Sequence, residues 1–131
     1  MNPFAGLGRW VGVVVAAGAL ARCVRFFDGR SLWNDEAQLA LNIWGREGLA
    51  LLAPLDYAQS APYGFLLLER LALHAFGPGE LALRSVALIA SLAALVLFAP
   101  VARAALSRRA AQIAIVLFAT SDPLIFYASE V

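Results

Sequence analysis

The stretch that decides the fold is LALRSVALIASLAALVLFAPVA, residues 81–102, which carries no charge after Arg84. A helix needs about 20 mostly apolar residues to cross a bilayer, because the hydrocarbon layer is about 30 Å thick and each helical residue rises about 1.5 Å. This stretch therefore predicts a membrane span.

Two further apolar windows, residues 10–27 and 110–127, meet the same length requirement. Arg22 and Arg25 lie near the end of the first window, where their long side chains are expected to snorkel to the lipid headgroups. Asp122 lies near the end of the other, where the headgroup layer would solvate it. The sequence thus predicts an all-α integral membrane protein with three transmembrane helices.

Composition supports a bilayer location, since 62% of the 131 residues are hydrophobic and only 15% are charged. The mean hydropathy of +0.76 leaves too few polar residues to coat a small water-soluble domain. The net charge of +1 leaves no basic surface for nucleic acid. The N-terminal window also admits a cleavable signal peptide, with Arg9 before a short apolar run and Ala19-Leu20-Ala21 as the cleavage site.

A fourth apolar run, residues 62–76, is only 15 residues long and contains Glu69, Arg70 and His74. Tyr63, Arg70 and His74 fall on one side of a helix, and leucines cover most of the rest. This pattern predicts a helix lying along the membrane surface. A short fourth span is the alternative interpretation.

The arginines predict the orientation, because short cytoplasmic loops are enriched in basic residues. Arg103, Arg108 and Arg109 lie with no acidic residue between the second and third windows. The expected arrangement is multi-pass in the plasma (inner) membrane, with this loop and the N-terminus cytoplasmic. The long segment of residues 28–80, with seven acids and three arginines, is then an extracytoplasmic loop that carries juxtamembrane helices.

The most specific motif in that loop is LWNDEA, residues 32–37, which places Asp35 beside Glu36 at the start of a predicted helix. Asn34 or Ser31 is the expected N-cap. The expected buried face consists of Ala37, Ala40, Leu41 and Trp44. Acidic residues in a first helical turn are also favoured by the helix dipole without any catalytic role. A carboxylate pair at a membrane surface nevertheless offers a base to a lipid-linked substrate.

The sequence resembles the GT-C superfamily of membrane glycosyltransferases, in particular the protein O-mannosyltransferase and lipid A aminoarabinose transferase group. Four stretches carry the resemblance in order: LWNDEA at 32–37, QSAPY at 59–63, FGPGELALR at 76–84 and YASEV at 127–131. The resemblance implies an enzyme that takes a sugar from a polyprenyl-phosphate carrier on the extracytoplasmic face and transfers it with inversion to an acceptor not identified by the sequence.

The resemblance maps the catalytic base onto Asp35 and its partner onto Glu36. The phosphate leaving group needs a cation rather than an acid, and Arg84 is the candidate because a guanidinium grips phosphate oxygens at two points. Tyr63 and His74 complete the candidate substrate-binding residues, although His74 also fits an ordinary polar-face role. The spacing predicts no metal site and no cofactor, beyond a weak divalent cation that a carboxylate pair can take.

In the family, the stretch corresponding to residues 127–131 continues into an arginine-containing motif and further spans. Residues 1–131 are therefore expected to be the N-terminal portion of a single GT-C transmembrane domain, with little or no transferase activity alone. Its expected partners are a polyprenyl-phosphate-linked sugar, membrane lipid and the acceptor. The alternative is a non-catalytic membrane protein whose outer loop binds a partner.

Overall fold

The computed structural model describes residues 8–130, which contain helices and no strand. The α-helices of this part of the chain are α1 (Arg9–Phe27), α2 (Asn34–Gly45), α3 (Tyr63–Phe76), α4 (Glu80–Ala105), α5 (Arg108–Thr120) and α6 (Asp122–Phe126). Short 3-10 helices cover Gly48–Leu52, Asp56–Ala58 and Tyr127–Ser129. The predicted all-α class is confirmed. The N-terminus, for which the sequence predicts a cytoplasmic location, lies outside the described residues.

Two helices, α1 with 19 residues and α4 with 26, are long and apolar enough to cross a membrane. The third predicted span is broken, because α5 and the segment Asp122–Ser129 meet at a bend of 49°. Ser121 has an extended conformation at this break, and Pro123 follows at the start of α6. The chain therefore has two candidate spans, or three if the bent pair counts as one.

The described residues form two compact units. One contains residues 8–28 and 88–129, which include α1, most of α4, α5 and α6; we call it the span unit. The other contains residues 29–87 and Glu130, and we call it the loop unit. Helix α4 contributes its first two turns to the loop unit and the remainder to the span unit.

In the span unit, small residues allow α1 and α5 to approach closely, as is usual between membrane helices. A Cβ atom added at Gly18 would lie 2.5 Å from the carbonyl oxygen of Ala119. The buried core around this contact contains Val11, Val15, Leu95, Ala99, Ala102, Ala111, Ile115 and Ala119. Only glycine fits at position 18 without moving one of the two backbones.

Arg22 corrects a prediction, because its side chain is fully buried in the span unit rather than directed to the headgroups. Its guanidinium donates to the carbonyl oxygens of Ala119, at 2.9 Å, and Phe118, at 3.2 Å. The carbonyl of Ala119 would normally accept from the N–H four residues later, but residue 123 is proline and has none. Arg22 supplies the missing donor, so that the carbonyl at this buried helix end is hydrogen-bonded.

The loop unit has its own core, in which α2, α3 and the start of α4 contribute apolar side chains. These buried residues are Leu39, Ala40, Ile43, Leu51, Leu66, Leu73, Ala82 and Leu83. Arg70 of α3 donates to the carbonyl oxygens of Ile43, at 3.0 Å, and Trp44, at 3.2 Å. The arginine thereby caps the C-terminal end of α2 and joins the two helices.

The buried face of α2 is shifted by one residue from the predicted one. Glu36, Leu39, Ala40 and Ile43 are buried, at the spacing i, i+3, i+4 and i+7, whereas Leu41 and Trp44 are about half exposed. The prediction was wrong because it counted Glu36 as a surface residue. The N-cap is Trp33 rather than Asn34 or Ser31, and its N–H donates to the Glu36 carboxylate at 2.8 Å.

Candidate functional site

A pair of carboxyl groups lies in the loop unit, formed by residues far apart in the sequence. The side chain of Glu36 is hydrogen-bonded to that of Glu130, which follows the last 3-10 helix. Glu36 is 5% exposed. A hydrogen bond between two carboxyl groups requires a proton on one of them, because ionised carboxylates only accept. The pair therefore holds one shared proton when this bond is formed.

Two arginines accompany the pair. The guanidinium of Arg30 donates to Glu130 at 2.5 Å, and it also stacks over the Trp33 ring at 5.2 Å from the ring centroid. Arg84, in the first two turns of α4, is 2% exposed and interacts electrostatically with Glu130. Its Nε is buried and has no hydrogen-bond partner within residues 8–130. We call Arg30, Glu36, Arg84 and Glu130 the carboxyl–arginine cluster.

The cluster perturbs the ionisation of Glu130. Burial raises the pKa of the Glu130 carboxyl above its usual value, and the charge and hydrogen bond of Glu36 raise it further. Arg30 and Arg84 act in the opposite direction, because a positive charge favours the carboxylate. The net direction is upward, so the arginines compensate the buried acids only in part.

The structure separates the two adjacent acids that the sequence predicts as catalytic. Consecutive helical residues point about 100° apart. Asp35 is therefore exposed on the surface of α2, and Glu36 is buried in the cluster. Asp35 is available to solvent and to a substrate, while Glu36 is held by the Trp33 N–H and by Glu130.

The candidate substrate-binding residues fall in different places within the loop unit. Arg84 belongs to the cluster. Tyr63, at the start of α3, packs against the apolar core, and His74 is exposed near the end of the same helix. Tyr63 and His74 are about 16 Å apart along the axis, from a rise of about 1.5 Å per residue. They would therefore contact different parts of a ligand.

Sequence reasoning did not identify Arg30 as a site residue, and it placed Glu130 only in a motif. The two side chains pair across 100 positions of sequence. Local periodicity carries no signal for a contact at that separation. The only available sign for Arg30 was its location two residues before the LWNDEA motif.

Glu69 of α3 is fully buried, although the sequence predicts that α3 lies along the membrane surface. Neither carboxyl oxygen has a hydrogen-bond partner within residues 8–130. Burial raises the pKa of this carboxyl to about 8 from its usual 4.5. Near neutral pH the protonated form of Glu69 is thus favoured, since burial in an apolar core disfavours the ionised carboxylate.

Glu69 should make the stability of the protein fall as the pH rises from about 4.5 to about 8. In that interval the unfolded carboxyl loses its proton while the folded one keeps it, so ionisation stabilises only the unfolded state. At pH 8.5, Glu69→Gln should be more stable than the wild type by roughly 4–5 kcal/mol, since each unit of pKa difference corresponds to about 1.4 kcal/mol, and at pH 4.5 the two should be equal. Unfolding by SDS in dodecylmaltoside micelles, followed by circular dichroism, measures the difference.

The exposed residue Glu80, in the first turn of α4, provides the control for this experiment. Glu80→Gln should keep the pH profile of the wild type. An equal gain from both substitutions at pH 8.5 would show that burial of Glu69 is not the cause.

No group of three or more His, Cys, Asp or Glu side chains arranged to hold a metal ion occurs within residues 8–130. The sequence allowed a weak divalent cation at Asp35 and Glu36, and such an ion would be bound only if both carboxylates lay on the same face of α2. Their separation by the turn of α2 disfavours that arrangement.

In comparisons with known proteins, no protein-family model, no curated protein and no solved structure matches this chain.

Proposed function

We propose that this chain is part of a membrane glycosyltransferase of the GT-C type, which transfers a sugar from a polyprenyl-phosphate carrier to an acceptor on the extracytoplasmic face. The observation that carries the proposal is Arg84 of the carboxyl–arginine cluster, whose buried guanidinium has an Nε with no partner among residues 8–130. A buried cation that retains a free donor is suited to a phosphate group. The candidate spans α1 and α4 support a substrate anchored in lipid.

The chemistry divides between two sets of residues in the loop unit. Asp35 is the general base, which removes the proton from the acceptor hydroxyl as its oxygen attacks the anomeric carbon. The bond from that carbon to the phosphate oxygen breaks, and the electron pair leaves with the phosphate. Arg84, assisted by Arg30, stabilises the developing negative charge, so the leaving group needs no protonation. Attack opposite to the leaving group inverts the configuration.

Substitution of Arg84 tests the proposal through binding of the donor. A short-chain prenyl phosphomannose, added to the purified protein in detergent, should bind the wild type in isothermal titration calorimetry. Arg84→Gln should weaken this binding roughly 10- to 100-fold, because a hydrogen bond to a charged group contributes about 1.5–3 kcal/mol. Arg84→Lys should fall between the two, since it keeps the charge but loses the planar guanidinium that grips phosphate at two points.

Arg103 is an exposed arginine on the same helix and serves as the matched control. Arg103→Gln should bind the donor like the wild type. Circular dichroism and gel filtration establish that the Arg84 variants are folded. If folded Arg84→Gln binds as tightly as Arg103→Gln, the assigned phosphate contact is wrong. If the wild type does not bind the donor, the non-catalytic alternative replaces the proposal.

A further inference from the structure

We infer that the phosphodiester headgroup of the donor binds together with a proton, which is taken up by the Glu36–Glu130 carboxyl pair. This inference rests on the proposed function and concerns the regulation of the same site. It predicts that the affinity for the donor decreases as the pH rises, although the charge of the donor itself is constant.

The geometry of Glu130 carries the inference. Its carboxyl group makes two interactions. One is the hydrogen bond to Glu36, which requires a proton, and the other is an ion pair of 2.5 Å with Arg30. Its side chain is 16% exposed, so water compensates little of the charge. Glu130 is thus paired with the guanidinium of Arg30, which an anionic ligand would also bind. In the state described by the structure, the carboxylate takes the place that a phosphate oxygen would fill at Arg30.

A phosphodiester that binds at Arg30 and Arg84 changes the charge balance of the pair. It carries one negative charge and competes with Glu130 for both guanidinium groups. The Glu130 carboxyl then loses part of the positive charge that opposes its protonation, and it gains a negative neighbour. Both changes favour its protonated form. Binding and proton uptake are therefore linked, and each strengthens the other.

The charged and titratable groups that act on Glu130 come from three parts of the loop unit. Glu36 faces it from α2, Arg30 from the connector before α2, and Arg84 from α4. A guanidinium group has no acceptor for a further proton. Among these groups, the two carboxyl groups can take up the proton. Uptake of one proton changes the affinity for the donor by at most tenfold per pH unit.

Calorimetric titration with prenyl phosphomannose between pH 6 and 8 tests the inference, because a phosphodiester has no ionisation in that range. For the wild type we expect the dissociation constant to rise about 5- to 10-fold across this interval. We also expect the apparent binding heat to vary with the ionisation enthalpy of the buffer, which reports proton uptake. Glu130→Gln mimics the protonated carboxyl and should bind at pH 8 as the wild type does at pH 6.

Two further variants separate the pair from other groups. Glu36→Gln should also reduce the pH dependence to less than twofold, which gives a second variant if Glu130→Gln does not fold. Glu69→Gln should retain the wild-type pH dependence, because Glu69 titrates near this range but lies on α3 outside the cluster. A pH dependence that disappears in Glu69→Gln and persists in Glu130→Gln would overturn the inference.

Water-soluble methyl phosphomannose distinguishes the headgroup from the lipid chain. It should bind more weakly than the prenyl compound and show the same pH dependence. If only the prenyl compound shows it, the detergent or the lipid chain is the cause and the inference is wrong. Donor binding that is independent of pH overturns this inference alone, whereas absence of binding at every pH overturns the proposed function with it.

Discussion

Replacement of Gly18 by alanine should destabilise the protein by roughly 4 kcal/mol. The added Cβ would lie 2.5 Å from the carbonyl oxygen of Ala119 and 3.1 Å from its carbonyl carbon. Overpacking of this kind costs about 1–3 kcal/mol. The same shift would disturb the hydrogen bonds that Arg22 donates to Gly18 and Ala119, each 2.9 Å long. A lost hydrogen bond to a charged donor adds about 1.5–3 kcal/mol.

Gly12 on the same helix gives a matched control, because a Cβ added there meets no atom within 4 Å. Gly12→Ala should be neutral or stabilise by about 0.5–1 kcal/mol through helix propensity. SDS-induced unfolding in dodecylmaltoside micelles measures both variants. Equal stabilities for Gly18→Ala and Gly12→Ala would contradict the close packing of α1 against α5.

Much of the fold follows from hydropathy, since the helices α1 and α4 coincide with the first two apolar windows. The break of the third window could be anticipated only from Pro123, which lacks an N–H. The side chain that compensates the break, Arg22, could not be anticipated, because it lies about 100 residues away in sequence. A charged residue near the end of an apolar window fits a snorkelling side chain and a buried cap equally well when no tertiary contact is known.

The site shows the same division between local and distant information. The LWNDEA motif predicted a helix with acids in its first turn, and α2 begins at Asn34 with Asp35 and Glu36 in that position. The direction of Glu36 depended on a partner, Glu130, 94 positions later. The buried face of α2 was misplaced by one residue for that reason. A periodicity argument counts every charged residue as a surface residue. A buried and paired acid such as Glu36 therefore shifts the predicted buried face of the helix away from the real one.

Asparagine in place of Asp35 should reduce sugar transfer by about 10²- to 10⁴-fold, which is the usual contribution of a general base. Asparagine has nearly the same size but cannot accept the proton of the acceptor hydroxyl. Because Asp35 is exposed and lies outside the carboxyl–arginine cluster, donor binding should stay within twofold of the wild type. A loss of transfer with retained binding separates a catalytic role from a structural one.

Asp122→Asn is the control for this variant, since Asp122 is also an exposed acid in a first helical turn. It reproduces any effect of removing a helix-start charge, which is at most about 1 kcal/mol. Asp122→Asn should therefore transfer sugar at the wild-type rate.

The most direct test of the glycosyltransferase assignment is transfer of labelled mannose from prenyl phosphomannose by membranes of the native host. These membranes should contain, at equal levels, the intact enzyme of which this chain is a part, with the wild-type sequence, Asp35→Asn or Asp122→Asn. The account predicts inverted product from the wild type and Asp122→Asn, and at least a hundredfold less from Asp35→Asn. Wild-type rates from Asp35→Asn, or no transfer from the wild type, would contradict it.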